Sequence, residues 1–279
     1  MAHPGQILKE NRLYAGKELG QNFLSDPAAA KMIVDKTGIT RDSQVLEIGP
    51  GLGALTVHIA KITKRLTVVE KDTRLIPLLE RELEDHGLTC VNIVNNDVLK
   101  FDFNQAAAGK KLVVIGNLPY NISSQIIFKL IKDRADVAAA FLMFQKELAA
   151  RIVSKPGGRN YSRLAAVVQY AADVTHITEI GPSCFFPRPD VDSTVLKFDF
   201  IKERTFDADQ ETVLFNVIKA AFSKRRKSLK NAMVGGEFKY DKSMIAAALA
   251  SAGIDPARRA ETLTMEEFEA LARAVLKQN

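Results

Sequence analysis

Five short apolar runs, at 45–48, 66–69, 90–94, 112–115 and 138–144, alternate with stretches at helical period, and this alternation most narrows the folds open to the chain. Strands separated by helices cannot pair as tight hairpins, because each helix returns the chain so that the next strand runs parallel to the last. A parallel sheet needs both faces covered, so the expectation is a doubly wound α/β body. The intervening helical stretches are 55–61, 73–86 and 123–131. A further helix precedes the first strand: SDPAAAKMIVDKTG opens at Ser25 with a capping residue and Pro27, and stops at Gly38.

Past Phe144 the pattern changes. Residues 148–153 and 162–171 read as helices, and THITEI and STVLKFDF as two strands joined through GPSCFFPRPDVD, which predicts an antiparallel hairpin at the sheet edge. After Phe200 only helical periods remain, at 210–222, 243–252 and 265–276, the last opened by a capping box from Thr264 to Glu267. The expected division is a catalytic α/β domain over 1–203 and a small all-helical domain over 204–279.

The strand at 45–48 runs straight into GPGLG, with glycines at 49, 51 and 53. Glycines there let the backbone turn tightly and approach a ligand at the carboxyl end of a central strand. The spacing is not the GxGxxG that seats a pyrophosphate, and no GK[ST] follows, so dinucleotide and triphosphate readings lose ground and a plain strand-to-helix turn stays open. Glu70 ends the second strand, where a carboxylate could hold both ribose hydroxyls, or could simply cap the next helix. Asp97, beyond the third strand, could read an adenine amino group or belong to a turn. Together these features fit an adenosine cofactor without phosphates, for which S-adenosylmethionine is the common candidate.

The fourth strand ends in GNLPY, 116–120. An adenine amino group is a poor nucleophile because its lone pair is delocalised into the ring. Two acceptors holding its hydrogens out of the ring plane would turn that lone pair toward a methyl donor. Asn117 supplies a side-chain carbonyl and Leu118 a backbone carbonyl; Pro119 stiffens the turn, and Tyr120 offers a flat face to the base. Catalysis would rest on positioning and hydrogen bonding, without a metal.

At these motifs the sequence resembles the ribosomal RNA adenine dimethyltransferase family, and within it the small-subunit (16S) branch. The carriers are LGQNFL (19–24), LEIGPGLGALT (46–56), VEKD (69–72), NNDVL, GNLPYNIS (116–123), FFPRPDVDS (185–193) and AFSKRRKSLKN (221–231). The resemblance implies a Rossmann-like methyltransferase fold and transfer of two methyls from S-adenosylmethionine to N6 of each of two adjacent adenosines in the hairpin near the 3′ end of the RNA. It implies that Gln21, Asn22 and Leu24 close over the cofactor, with Gly49 and Gly51 lining it, Glu70 on the ribose and Asp97 on the adenine. Asn117, Leu118 and Tyr120 would hold the target base, with Phe185 as a second stacking partner and Phe186 left to the core. The large-subunit enzymes share these catalytic motifs; the FSKRRKSLKN helix and RRAETLTMEEFEALA look like the small-subunit branch. A mainly RNA-binding role in ribosome assembly is the alternative from outside catalysis.

Lys and Arg number 39 against 33 Asp and Glu, a net charge of +6, which tilts the chain toward an anionic partner. From 219 to 230 there are six basic residues and no acidic one, including Lys224, Arg225, Arg226, Lys227 and Lys230. Such a block can neutralise RNA phosphates, or be a solvated helix face. A second patch comprises Lys146, Arg151, Lys155, Arg159 and Arg163, broken by a PGG loop at 156–158 that could shift with substrate. Cys90 and Cys184 lack metal-ligand spacing, the four histidines fall singly, and no apolar run reaches the ~18 residues of a membrane span. The expectation is a cytoplasmic monomer that acts on small-subunit rRNA or an immature small subunit, away from membranes.

Overall fold

The computed structural model describes residues 2–16, 18, 20–200, 205–224, 226–235 and 240–278. Its main sheet is organised around β2 (Gln44–Ile48), which is buried from Val45 onward because neighbouring elements cover both faces. On one side β2 pairs in parallel with β3 (Leu66–Glu70) and β3 with β4 (Val91–Asn95); on the other, β2 pairs in parallel with β5 (Leu112–Asn117) and β5 with β6 (Val137–Gln145). The register sets Ile48 level with Val69 and with Gly116, so the carboxyl ends of β2, β3 and β5 meet at one edge. The chain leaves β2 toward β3 and returns on the other side at β5, and such a reversal opens a crevice for ligands.

The expected edge hairpin is present. Strands β7 (Asp173–Ile180) and β9 (Ser193–Asp199) pair antiparallel, with β9 also antiparallel to β6, giving the order β4-β3-β2-β5-β6-β9-β7. The expected helix before β2 is α2 (Pro27–Thr37), capped by Asp26 and not by Ser25: the Asp26 carboxylate accepts from the Ala28 and Ala29 amides, and Gly38 ends the helix at φ +66°. Helices α3 (Thr56–Ile62), α4 (Ile76–Asp85) and α6 (Ser123–Lys132) fill the crossovers as the periodicity predicts. Two short helices escaped the sequence, α1 (Pro4–Glu10) and α5 (Phe103–Ala107), as did the two-residue antiparallel pair of β1 (Phe23–Leu24) with β8 (Phe185–Phe186). Elements this short carry too few residues to show a period.

The chain divides into two compact units, Met1–Ala149 with Asp173–Ile201, and Ala150–Ala172 with Lys202–Asn279. The division is not the linear one expected at 203/204, a boundary that lies outside the described residues; it also assigns 150–172 to the helical unit. Helix α8 (Arg163–Ala171) belongs to the helical unit because it is apolar nearly all round and is buried from Leu164 to Val168. It packs on α9 (Ala208–Ala221) and α12 (Met265–Leu276), with the Tyr170 ring edge-on to Phe215 at 5.7 Å. The capping box opening α12 forms as expected, Thr264 and Glu267 each bonding the other's backbone amide. The basic run does not continue α9: Lys224, Arg226 and Lys227 lie in the turn before α10 (Leu229–Met233).

Phe268 is fully buried in α12, its ring 6.0 Å from that of Phe222. Phe268→Ala is expected to cost about 3–5 kcal/mol. Native-state hydrogen exchange should show the amides of α8, α9 and α12 losing protection together in that variant.

Candidate active site

The three glycines after β2 all hold positive φ, for different reasons. A Cβ built on Gly53 would sit 3.0 Å from Leu79 Cδ1 on α4, and one on Gly51 3.1 Å from the Phe23 ring. One on Gly49 meets nothing within 4 Å, because this residue borders a cavity. Glycine at 49 therefore leaves the backbone bare where a ligand would lie.

Across the loop, Glu70 is 6% exposed and fixed by two backbone amides: Gly51 donates to Oε2 at 3.1 Å and Asp72 to Oε1 at 2.7 Å. Burial raises its pKa, and these bonds act against the rise. Both oxygens keep lone pairs for vicinal hydroxyls. Asp97, also on the cavity wall, accepts from Lys71 Nζ at 2.9 Å and from the Leu99 amide at 3.0 Å. Lys71 holds its carboxyl below the usual range, so it is an ionised acceptor suited to an amino group. Bare backbone at Gly49, a paired acceptor at Glu70 and a third acceptor at Asp97 fit an adenosine ligand that lacks phosphates.

A strap comprising Glu18 and residues 20–22 borders the same cavity. Gln21 lines it, yet its amide is spent on the protein: Oε1 accepts from the Gly16 amide at 2.7 Å, and Nε2 donates to Asp72 Oδ2 at 3.0 Å. Asp72 is held in turn by a bidentate pair with Arg74, at 2.8 and 2.7 Å, which lowers its pKa. Gln21 thus ties the strap down, and a direct cofactor contact through its amide is not what the geometry offers. Asn121 makes a second tie, donating to the Glu18 carbonyl at 2.9 Å. Asn22 and Leu24 both line the cavity.

Asn117 stands on the cavity wall at the end of β5. Its Nδ2 donates to the Asn22 carbonyl at 2.8 Å, which settles which way the amide faces. Neither Asn117 Oδ1 nor the Leu118 carbonyl accepts a hydrogen bond among the described residues. The two acceptors required of this corner are present and uncommitted. The Leu118 side chain, 1% exposed, anchors the turn, and the Pro119 carbonyl is occupied by Ser123 Oγ at 2.8 Å. Gly116 is needed here as well, since a Cβ would stand 3.0 Å from the Ile48 carbonyl oxygen.

Tyr120 is half-buried with its hydroxyl 3.4 Å from Ser193 Oγ, and burial raises its pKa. Phe185 is not brought to this wall: it is 4% exposed within the main core cluster, whereas half-buried Phe186 packs edge-on against His3. The antiparallel pairing of β1 with β8 places Phe185 opposite buried Leu24, so the ring expected to stack on the base is core instead, and Phe186 does not line the cavity either. Ser193, Asp72 and Asn121 were missed as supports; each lies within a quoted motif, but their partners are distant in sequence.

Lys146 is matched by Glu179 and Asp192 at 3.3 and 3.4 Å, so it adds no net charge to a basic patch. Arg151, Arg159, Lys224, Arg226 and Lys227 are exposed and Lys230 is half-buried, all within the helical unit; Arg225 lies outside the described residues. The PGG loop is tied down, with the Gly157 amide donating to the Glu261 carbonyl at 2.7 Å.

Glu47, on β2 below the glycine loop, is 1% exposed and has its carboxyl pushed up to about 8 by burial, from an ordinary 4.5. The folded chain therefore keeps a proton that the unfolded chain loses above pH 4.5. Stability from this group is full below pH 4.5 and is lost as pH rises through 8. Glu47→Gln should flatten that decline, read as urea midpoints at pH 6 and 9. Glu70→Ala removes charged acceptors worth roughly 1.5–3 kcal/mol and should weaken adenosine-ligand binding by about 10–100-fold in calorimetry.

The family model described as ribosomal RNA adenine dimethylase matches residues 13–275. The chain is 52% identical over 275 residues to ribosomal RNA small subunit methyltransferase A of Desulforapulum autotrophicum, covering 99% of this chain and 97% of that one. A protein of the same name from Clostridium perfringens is 38% identical over 273 residues, covering 98% and 94%. A solved dimethyladenosine transferase from Plasmodium falciparum superposes with a TM-score of 0.73 at 28% identity, over 89% of this chain and 95% of that one. The 23S rRNA methyltransferase ErmE shares the fold, with a TM-score of 0.65 at 23% identity over 91% and 99%. With a matching family model over nearly its whole length and acceptors arranged for an adenosine and an adenine amine, the chain belongs to the ribosomal RNA adenine dimethylase family, whose methyl donor is S-adenosylmethionine.

Proposed function

We propose that the chain dimethylates N6 of two adjacent adenosines in the hairpin near the 3′ end of small-subunit (16S) rRNA, and so serves small-subunit biogenesis. The observation that carries the reading is the corner at the end of β5. Asn117 has its amide nitrogen committed to Asn22 and its oxygen free on the cavity wall, next to the free carbonyl of Leu118. The small-subunit target is supported by relatives at 52% and 38% identity that carry that name.

When bound, S-adenosylmethionine supplies a methyl group on a positively charged sulfur. Glu70 would hold the ribose of that donor and Asp97 its adenine, while Gly49 and Gly51 let the backbone approach. Asn117 Oδ1 and the Leu118 carbonyl accept the two hydrogens of the target amine, drawing the nitrogen toward tetrahedral geometry so that its lone pair faces the methyl. Tyr120, steadied by Ser193, presents its ring to the flipped base, and Pro119 keeps the turn rigid. These preset dipoles need no rearrangement as the nitrogen gains positive charge, the condition under which electrostatic stabilisation is most effective.

Arg151, Arg159, Lys224, Arg225, Arg226, Lys227 and Lys230 would contact RNA phosphates, making affinity salt-dependent. One chain supplies every group invoked, so a monomer suffices. No helix among the described residues is long and apolar enough to cross a membrane, and the cytoplasm is where immature small subunits would be met.

Labelled S-adenosylmethionine incubated with unmodified small subunits should yield two dimethylated adenosines, located by primer-extension stops. Asn117→Ala should lower kcat by at least about 100-fold, the scale of losing one preset oxygen or donor at a transition state. Cofactor affinity should stay within a few-fold, and robust turnover by this variant would defeat the mechanism.

A further inference from the structure

Glu47 has no part in the reaction as derived, yet it lines the cavity two residues before Gly49. Among the described residues its Oε2 has no partner at hydrogen-bond geometry; the buried Thr56 hydroxyl at the start of α3 acts on the carboxyl against the rise in its pKa, without making a well-formed bond to it. An apolar residue of similar volume would serve β2 better than an unpaired buried acid, since burying a polar group without a partner costs free energy. A carboxyl in such a place stays neutral until a positive charge arrives beside it.

Both donor and product carry an α-ammonium at their amino-acid end, but only the methyl donor adds a second positive charge, on sulfur. Transfer turns a sulfonium into a neutral thioether, while the ribose, the adenine and the amino-acid end are unchanged. Glu70 and Asp97 meet only the unchanged parts, so they bind donor and product alike. We propose that Glu47 is the residue of the cofactor site that distinguishes donor from product: it releases its proton when the cationic S-adenosylmethionine binds and keeps it when neutral S-adenosylhomocysteine binds. The proposal rests on the cofactor assignment given above.

The surroundings of Glu47 leave little else to respond. From β3, Glu70 is the charged group acting on it, and like charge there favours the neutral acid. Strand β5 carries no ionisable side chain over Leu112–Asn117. On α3, His58 is influenced by Lys61, Lys31, Asp35 and His86 on the helical side, not by Glu47. Any change at Glu70 on ribose binding is common to both ligands and cancels in their difference.

The test is calorimetric titration of the full chain with each ligand, in two buffers of different ionisation enthalpy, at pH 6.5 to 8.5. Proton release is expected with S-adenosylmethionine and not with S-adenosylhomocysteine. Donor affinity should tighten as pH rises toward 8 while product affinity changes little. Glu47→Gln, close to isosteric, should remove the difference in proton release and lower the donor-to-product preference by about tenfold, equivalent to ~1.4 kcal/mol. Equal proton release from the two ligands in the unaltered chain overturns the proposal, whether or not the variant folds. So does a folded variant with unchanged preference. Glu70→Ala should weaken both ligands equally, and if neither ligand binds the unaltered chain, the cofactor assignment itself fails.

Discussion

The 2.8 Å hydrogen bond from Asn117 Nδ2 to the Asn22 carbonyl joins residues 95 apart in the chain, and the chemistry of the site depends on it. An amide can present either its oxygen or its nitrogen, and only the oxygen can accept from an adenine amine. By occupying the nitrogen, the strap decides which end of Asn117 faces the cavity. Breaking this bond would leave the side chain present but free to turn, and a misaimed acceptor loses most of its effect. The same bond makes the strap a structural part of the reacting corner.

The strap is itself held at both ends of the crevice. Gln21 reaches Asp72 beyond β3, and Asn121 reaches back to Glu18 from the turn beyond β5. The parallel register brings these anchor points close, because β3 and β5 flank β2 with their carboxyl ends level. Backbone clearance is set with similar economy. Gly116 lets β5 come against the Ile48 carbonyl, Gly53 admits Leu79, and Gly49 alone of the loop glycines opens on empty space.

Four acids in or beside the cavity fall into two electrostatic kinds. Asp72 and Asp97 have cationic partners, Arg74 and Lys71, which lower their pKa values and keep them ionised. Glu70 and Glu47 lie deeper, and burial raises theirs. Glu70 is compensated by two backbone amides, whereas Glu47 has no such help at Oε2. A cation entering the crevice would therefore act most strongly on Glu47, the acid with the least to hold its charge.

Period and punctuation in the sequence were enough for the alternating strands and helices, the stop of α2 at Gly38, the cap of α12, the edge hairpin, and the placing of the glycine loop, Glu70, Asp97 and Asn117 at successive strand ends. Those features depend on residues close together in the chain, where side-chain direction and turn chemistry are local. Four matters were decided only by tertiary structure: that Gln21 ties down the strap, that Phe185 rather than Phe186 enters the core, that Lys146 is neutralised by Glu179 and Asp192, and that α8 joins the helical unit. Each depends on a partner tens of residues away, or on which side of a two-residue strand faces inward. Packing against distant groups sets such choices, and no local spacing encodes them.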